Sequence, residues 1–244
     1  MNLSTSIVNS IQCTLKAIYR YGERTHGLKK LDFNVIKFSQ KSKTKEPLTL
    51  EKEMIIWQYC LNNKERISLA MSLGLYAGLR IGEICALKWE DIDLDNSMIS
   101  ITKTVQRLKS ENHEQKTQLY ILEPKSISSI RSVILPDFLI EYLKKYNNLY
   151  NKDFFILSNK EIPMDPRVIQ KNFRKICKAN DIDATFHTLR HTYATNCIKT
   201  NIDVKTLSET LGHANVNITL NRYVHTSLDF KKQQINKIEP PIKP

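Results

Sequence analysis

The stretch LGLYAGLRIGEICAL, residues 73–87, decides the fold because it is apolar almost throughout and yet carries a charged pair near its centre. Gly78 and Gly82 flank Arg80, and Glu83 follows three residues after the arginine. On a helix this is an ordinary salt-bridge spacing. A guanidinium in a buried segment needs a partner, and Glu83 can supply one while the fork of Arg80 still faces a phosphate. The stretch therefore predicts a buried helical region that contains a candidate phosphate ligand.

Helical periodicity continues on both sides of this stretch. Apolar residues recur three and four positions apart, and Gly27 is a natural stop for the first helix. Asp165 and Pro166 form a suitable start for a later one. No apolar run approaches the ~18–20 residues that span a bilayer. The predicted helices cover residues 4–26, 50–62, 65–77, 81–88, 137–147, 166–179, 187–200, 203–211 and 216–224.

Three runs between the helices are rich in β-branched residues and tend to alternate, which is typical of strands. They are residues 97–104, 117–123 and 129–135. The last two flank the turn 124–128, so the pattern predicts a β-hairpin with Lys125 at or near its tip. The fold class is therefore expected to be mainly α with a small antiparallel β-sheet.

Net charge is the first clue to a partner. The 244 residues include 37 Lys and Arg against 25 Asp and Glu, which gives a net charge of +12 and a pI near 9.4. A surplus of this size favours a polyanionic partner, either nucleic acid or an acidic membrane surface. Residues 1–46 hold nine cations and three anions, so half of the excess lies in under a fifth of the chain. Residues 38–47, SQKSKTKEPL, are predicted to be a basic linker.

The cysteines and histidines indicate neither a disulfide framework nor a metal site. Five cysteines are present and no two form a CxxC pair, which favours reduced, mostly buried thiols in a cytoplasmic protein. His187 and His191 are four residues apart, but Thr188 stands where a zinc protease has glutamate, and no acidic ligand lies nearby. We therefore expect no metal and no cofactor.

Further short motifs have ordinary explanations when taken singly. His187 and Arg190 share one helix face, and an imidazole beside a guanidinium suits a phosphate oxygen. Tyr223 is one of ten tyrosines, most of which in any protein are packing residues. The motifs are Pro124-Lys125-Ser126, His187-Thr188-Leu189-Arg190-His191, Leu211-Gly212-His213 and Asn221-Arg222-Tyr223.

In this order, and after the Arg80 motif, these motifs closely resemble the tyrosine recombinase (phage integrase) family, over roughly residues 48–226. The resemblance implies the catalytic-domain fold of that family and a site-specific recombinase or integrase that cleaves and rejoins double-stranded DNA at a core site. It also implies that four side chains bind the scissile phosphate, namely Arg80, Arg190, His187 and His213.

The remaining roles implied by the resemblance concern proton transfer and attack. Tyr223 would attack in line, giving a 3′-phosphotyrosine and a free 5′-hydroxyl, and His187 could take its proton. Lys125 would be the general acid for the 5′-oxygen, with Lys103 as the rival candidate. Glu83 would support the site from behind. Two arginines, two histidines and a lysine would supply the positive charge that phosphoryl transfer needs.

The chain departs from the family's usual organisation at its N-terminus. Residues 1–46 resemble the last part of a core-binding domain, a single helix followed by the basic linker. Residues 47–226 are expected to form the catalytic domain, and 227–244 a C-terminal tail. In the family such tails often dock on a neighbouring subunit, which implies a homotetramer on DNA. Both a naturally short recombinase and a fragment of a longer one remain open.

Two other functions also remain open. One is a type IB topoisomerase, which uses similar chemistry as a monomer. The other is a truncated DNA-binding module without catalytic activity, for which the short N-terminal part is the argument. We expect no membrane partner, and a cytoplasmic location for a protein encoded by a bacterium, phage or mobile element.

Overall fold

The computed structural model describes residues 3–29, 46–110, 116–123, 130–147, 151–213, 215–217 and 219. Internal contacts divide the chain into two compact units, residues 1–44 and 45–244. The division falls inside the segment that the sequence predicts to be a linker. That residues 1–46 are part of a core-binding domain stays a prediction.

The described part of the first unit is dominated by one long helix, α1, Thr5–His26. Ser4 caps its start by accepting a hydrogen bond from the backbone N–H of Ile7, and Gly27 ends it in the left-handed conformation at φ 64°. This agrees with the predicted range and with the predicted stop. An apolar stripe on the helix is exposed to solvent and consists of Ile7, Ile11, Leu15 and Ile18.

The described residues of the second unit contain seven α-helices and one short 3₁₀ helix, Trp89–Asp91. Hydroxyl and carboxylate caps start three of them, since Thr49, Asp165 and Asp203 accept hydrogen bonds from the first turns. The helices are α2 Leu50–Asn62, α3 Arg66–Tyr76, α4 Ile81–Ala86, α5 Asp137–Asn147, α6 Pro166–Ala179, α7 Phe186–Lys199 and α8 Val204–Leu211. Eight of the nine predicted helices, α1 included, are confirmed. The helix predicted over 216–224 lies largely outside the described residues.

α3 is the centre of the core. Every residue from Ile67 to Leu75 is buried, so this helix is enclosed on all sides rather than amphipathic. It packs against α2, α4, α5, α6 and α7. At Gly74 a β-carbon would lie 3.2 Å from Phe186 and 3.3 Å from Leu189, which shows how closely α3 approaches α7. This contact holds the HTLRH helix against the stretch that contains Arg80.

The strands form two small antiparallel sheets. β1 Ile92–Asp93, β2 Met98–Ile101 and β5 Arg131–Ile134 make a three-stranded sheet in the order β1-β2-β5. β3 Thr104–Lys109 pairs with β4 Thr117–Leu122 in the second sheet. The predicted pairing of 117–123 with 129–135 is therefore wrong.

The difference arises because residues 97–104 do not form a single strand. The chain leaves β2 after Ile101 and begins β3 at Thr104, so two strands in different sheets follow one another with two residues between them. β4 then pairs with β3, while β5 pairs with β2 through Ile99 and Val133. Lys125, which was expected at a hairpin tip, lies outside the described residues.

The described residues thus form a mainly α fold with small antiparallel sheets, as the sequence predicts. Within these residues, every helix is too short or too polar to cross a bilayer. Gly82 holds α4 on β3, because a β-carbon there would lie 2.6 Å from the Thr104 hydroxyl and 2.7 Å from the Val105 carbonyl oxygen. Only glycine permits that approach without displacing backbone.

Candidate active site

Arg80 lies where the chain turns from α3 into α4. Gly78 has φ 65°, and a β-carbon there would lie 2.4 Å from the ring of Tyr193, so this turn requires glycine. Arg80 is the N-terminal cap of α4, and its backbone N–H donates to Glu83 Oε2 at 2.8 Å. Its Nη1 donates to Glu83 Oε1 at 2.7 Å, and its Nη2 to the carbonyl of Gly212 at 3.3 Å. The side chain keeps 39% of its surface exposed and can therefore reach a ligand.

Glu83 is shared by two arginines. Arg131 of β5 donates from Nη1 to Oε1 and from Nη2 to Oε2, both at 3.0 Å. Burial by itself would raise the pKa of Glu83. The hydrogen bonds and charge of Arg131, together with the charge and backbone N–H of Arg80, outweigh burial and lower the pKa to about 2. Glu83 is therefore a carboxylate at any ordinary pH.

Arg190 on α7 connects two distant segments. Its side chain is almost fully buried, with 2% of the residue exposed. Nη1 donates to the carbonyl of Gly78 and Nη2 to the carbonyl of Leu211, each at 2.6 Å. These carbonyls lie two residues before Arg80 and two residues before His213. One guanidinium thus fixes both segments relative to each other.

His213 follows the left-handed turn that ends α8 at Gly212, φ 61°. Its Nε2 lies 3.3 Å from Arg190 Nη2, and its Nδ1 lies 2.8 Å from the hydroxyl of Thr219. A guanidinium cannot accept a hydrogen bond, so Nε2 is the acceptor there and Nδ1–H donates to Thr219.

A cavity of about 500 Å³ opens beside Arg80. His187 stands in the first turn of α7, and this turn is closed by a hydrogen bond from the Thr185 backbone N–H to the Thr188 hydroxyl. Phe173 and Phe186 also line the cavity, in edge contact with each other. Its polar lining consists of Arg80, Thr104, Gln106, Gln170, Arg174, Thr185 and His187.

The structure brings together five of the seven predicted site residues, through direct contacts, through hydrogen bonds to carbonyls next to other site residues, or through the common cavity. They are Arg80, Glu83, His187, Arg190 and His213. Lys125 and Tyr223 lie outside the described residues, so their positions stay predictions. The rival Lys103 is exposed between β2 and β3, where its charge offsets part of the rise that burial causes in the pKa of Asp91.

Sequence reasoning missed two residues of this network, Arg131 and Thr219. Arg131 is a cation within an otherwise strand-like run, SIRSVIL, and its position opposite Glu83 follows from pairing between strands distant in sequence. Thr219 gives no signal beyond its place six residues after His213. Among the described residues, no group of three or more His, Cys, Asp and Glu side chains could hold a metal ion.

Curated proteins that are similar to this chain include a recombinase, a transposase and an integrase. A XerC-like tyrosine recombinase of Caldanaerobacter subterraneus subsp. tengcongensis is 30% identical over 194 residues, which cover 71% of this chain and 48% of that protein. Transposase A from transposon Tn554 of Staphylococcus aureus is 31% identical over 208 residues, 84% and 55% of the two proteins. The ICEBs1 integrase of Bacillus subtilis is 26% identical over 259 residues, 97% and 66%. The chain spans about half to two thirds of the length of these relatives.

Solved structures share the fold. The Tn1549 transposon integrase, in complex with transposon right end DNA, has a TM-score of 0.81 at 22% identity, and the match covers 97% of this chain and 80% of that one. The XerA recombinase has a TM-score of 0.57 at 25% identity, with 80% and 66% covered. The sequence model of the phage integrase family matches residues 47–229, which include the Arg80 turn, the HTLRH helix and the segment with His213. The chain therefore belongs to the phage integrase family.

Proposed function

We propose that this chain is a site-specific DNA recombinase or integrase that cleaves and rejoins DNA strands through a 3′-phosphotyrosine at Tyr223. The observation that carries the proposal is the way Arg190 ties the Arg80 turn to the His213 turn, with hydrogen bonds to Gly78 and Leu211. The similar proteins that are a recombinase, a transposase and an integrase support it.

The arrangement suits a phosphate better than a carboxylate or a neutral ligand. Arg190 donates to the neutral carbonyls of Gly78 and Leu211, whose dipoles orient its guanidinium. Arg80 is half-exposed, and His187 borders the same cavity. Fixed cations and imidazoles around one opening can bind the non-bridging oxygens of a phosphodiester and stabilise the charge of its transition state.

The proposed reaction needs two proton transfers. Tyr223 attacks the phosphorus, its phenolic proton passes to His187, and the bond to the 5′-oxygen breaks as Lys125 protonates that oxygen. The energy of the broken bond is kept in the phosphotyrosine. A free 5′-hydroxyl can therefore attack in reverse and rejoin the strand, with the protons returned to Lys125 and Tyr223. An ordinary tyrosine has a pKa of about 10, so a base and surrounding cations are required.

α6 offers a second group of cations for DNA. It has no acidic residue, and its exposed cations are Arg167, Lys171, Arg174, Lys175 and Lys178. Arg174 also lines the cavity beside Arg80. A helix of this composition, next to the proposed phosphate site, would follow the DNA backbone on one side of the cleavage point.

The finer organisation is part of the same proposal. Residues 1–46 would contribute a partial core-binding helix and a basic linker, residues 47–226 the catalytic domain, and 227–244 a tail that docks on a neighbouring subunit of a DNA-bound homotetramer. Structures such as the Tn1549 integrase complex, which contains DNA, support the choice of partner. Acting on bacterial or mobile-element DNA would place the protein in the cytoplasm, on the nucleoid.

The test is covalent capture. The full chain is incubated with a pool of nicked suicide duplexes that carry a randomised core, and covalent protein–DNA complexes are recovered from a denaturing gel and sequenced. We expect a band enriched in one core sequence and absent in Tyr223→Phe. A band that persists in Tyr223→Phe would refute the nucleophile. Specific binding without any band would favour the DNA-binding module, and relaxation of supercoils without strand exchange would favour the topoisomerase.

The duplex that carries the enriched core sequence, here called the captured duplex, also serves to decide whether Lys125 or Lys103 is the general acid. A substrate with sulfur in place of the 5′-bridging oxygen has a leaving group that needs no protonation. We expect Lys125→Ala to cleave the ordinary duplex slowly and the sulfur-substituted duplex normally. The matched control, Lys103→Ala, should cleave both at the wild-type rate. The reverse result would transfer the general acid to Lys103.

A further inference from the structure

The carboxylate of Glu83 sets an electrostatic problem for the proposed reaction. It makes two hydrogen bonds with Arg80, one to the backbone N–H and one to Nη1, and it is 5% exposed. A buried carboxylate this close to a guanidinium cancels much of its field. If Glu83 were its only charged neighbour, Arg80 would be well oriented, but little of its positive field would be available to a phosphate.

Arg131 supplies the missing charge. It approaches the side of Glu83 that Arg80 leaves open, with both terminal nitrogens at 3.0 Å from the two carboxylate oxygens, and its side chain is 6% exposed. A carboxylate offers about four acceptor sites, and the two arginines fill them. The three side chains together carry one net positive charge. That charge faces outward at Arg80, because Arg131 is buried.

Arg131 also reaches the segment that carries His213. Its Nε donates to the carbonyl of Thr210 at 2.6 Å, near the end of α8. A β-carbon at Gly212 would lie 2.9 Å from Arg131 Nη1, so the turn before His213 rests directly on this guanidinium. One side chain therefore contacts both the carboxylate that orients Arg80 and the turn that presents His213.

We propose that Arg131 is a positioning residue for strand cleavage: it neutralises Glu83, so that Arg80 keeps its charge for the scissile phosphate, and it fixes the turn that presents His213. The inference rests on the proposed function, since it needs a phosphodiester at Arg80. Arg131 itself would not touch the DNA.

The first test compares rates of covalent complex formation at saturating captured duplex, so that DNA affinity does not enter. We expect Arg131→Met to lower the rate about 100-fold, the loss typical of a displaced catalytic group. On a duplex whose scissile phosphate is replaced by an uncharged methylphosphonate, the deficit relative to wild type should shrink, because the lost charge no longer matters there. The matched control is Arg107→Met, which removes another half-buried arginine–carboxylate pair, with Asp165, and should leave both rates unchanged.

A second variant covers the case in which Arg131→Met fails to fold. The double variant Glu83→Gln with Arg131→Met leaves no unpaired buried carboxylate and restores the charge of Arg80, but it still lacks the bond to Thr210. Its rate should lie above that of Arg131→Met and below that of wild type. A wild-type rate in either variant, or a deficit of Arg131→Met that is equal on both substrates, would overturn the proposal. If wild type captures no duplex at all, the proposed function fails instead.

Discussion

The two arginines of the site are held in opposite ways. Arg190 is buried and bound by two neutral carbonyls, whereas Arg80 is half-exposed and bound by a carboxylate that a third arginine shares. Carbonyl dipoles orient a cation without cancelling its charge. A carboxylate orients it more strongly and must itself be neutralised, which Arg131 does. The comparison teaches that a guanidinium can be oriented by two different means, neutral carbonyls or a shared carboxylate.

Removing Arg190 should have the largest effect. Arg190→Ala leaves the carbonyls of Gly78 and Leu211 without a donor and separates the two segments that carry Arg80 and His213. We expect cleavage of the captured duplex to fall about 1000-fold. The free energy of unfolding should fall by about 2–4 kcal/mol, since buried carbonyls would lack partners.

These effects are measured by single-turnover cleavage and urea unfolding. Arg190→Lys serves as the control, because a single ammonium cannot serve both carbonyls and a phosphate, so it should recover little activity. Near-normal cleavage by Arg190→Ala would mean that the two segments are held together by other contacts.

The carboxylate of Glu83, which orients Arg80, should make the free energy of unfolding depend on pH. The folded-state pKa of Glu83, about 2, lies below its ordinary value of 4.5. Its stabilising contribution is therefore full above about pH 4.5 and is lost as the pH falls towards 2. The shift corresponds to about 3 kcal/mol.

Urea unfolding at a series of acidic pH values checks this. As the pH falls from 4.5 to 2, the free energy of unfolding should decrease more in the wild type than in Glu83→Gln. In Arg190→Ala, which keeps Glu83, it should decrease by as much as in the wild type. Parallel pH profiles for wild type and Glu83→Gln would contradict the role given to the carboxylate.

The smallest effect concerns the orientation of His213. Thr219→Val keeps the shape of the side chain and removes the hydroxyl that holds Nδ1 at 2.8 Å. One hydrogen bond contributes about 1 kcal/mol, so we expect cleavage to fall about fivefold. Thr219→Ser retains the hydroxyl and should cleave like the wild type. A loss in Ser without a loss in Val would indicate that the methyl group, through packing, is what matters.

Much of the fold was predictable because helices are local. Spacing of apolar residues placed α1 to α8 to within a few residues, and caps such as Asp165 and Gly27 marked their ends. Strand pairing was not predictable, because register depends on partners far away in sequence. The two residues between β2 and β3 carry no glycine, proline or asparagine to signal a change of sheet.

The candidate site likewise has residues that could be predicted from the sequence and residues that could not. The motifs around Arg80 and Arg190 stand out in the sequence, and the structure brings them together through the Gly78 carbonyl. Arg131 could not be recognised, since only the pairing of β5 with β2 places it near Glu83. The roles of Lys125 and Tyr223 stay predictions.

The hydrogen bonds of Arg190 also bear on biosynthesis. Its partners lie 112 residues earlier in the chain, at Gly78, and 21 residues later, at Leu211. A nascent chain that has emerged as far as the first half therefore contains Arg80 without the group that ties its turn to the second cluster. On the proposed function, strand cleavage therefore requires that synthesis has passed both Leu211 and Tyr223, long after Arg80 has been made.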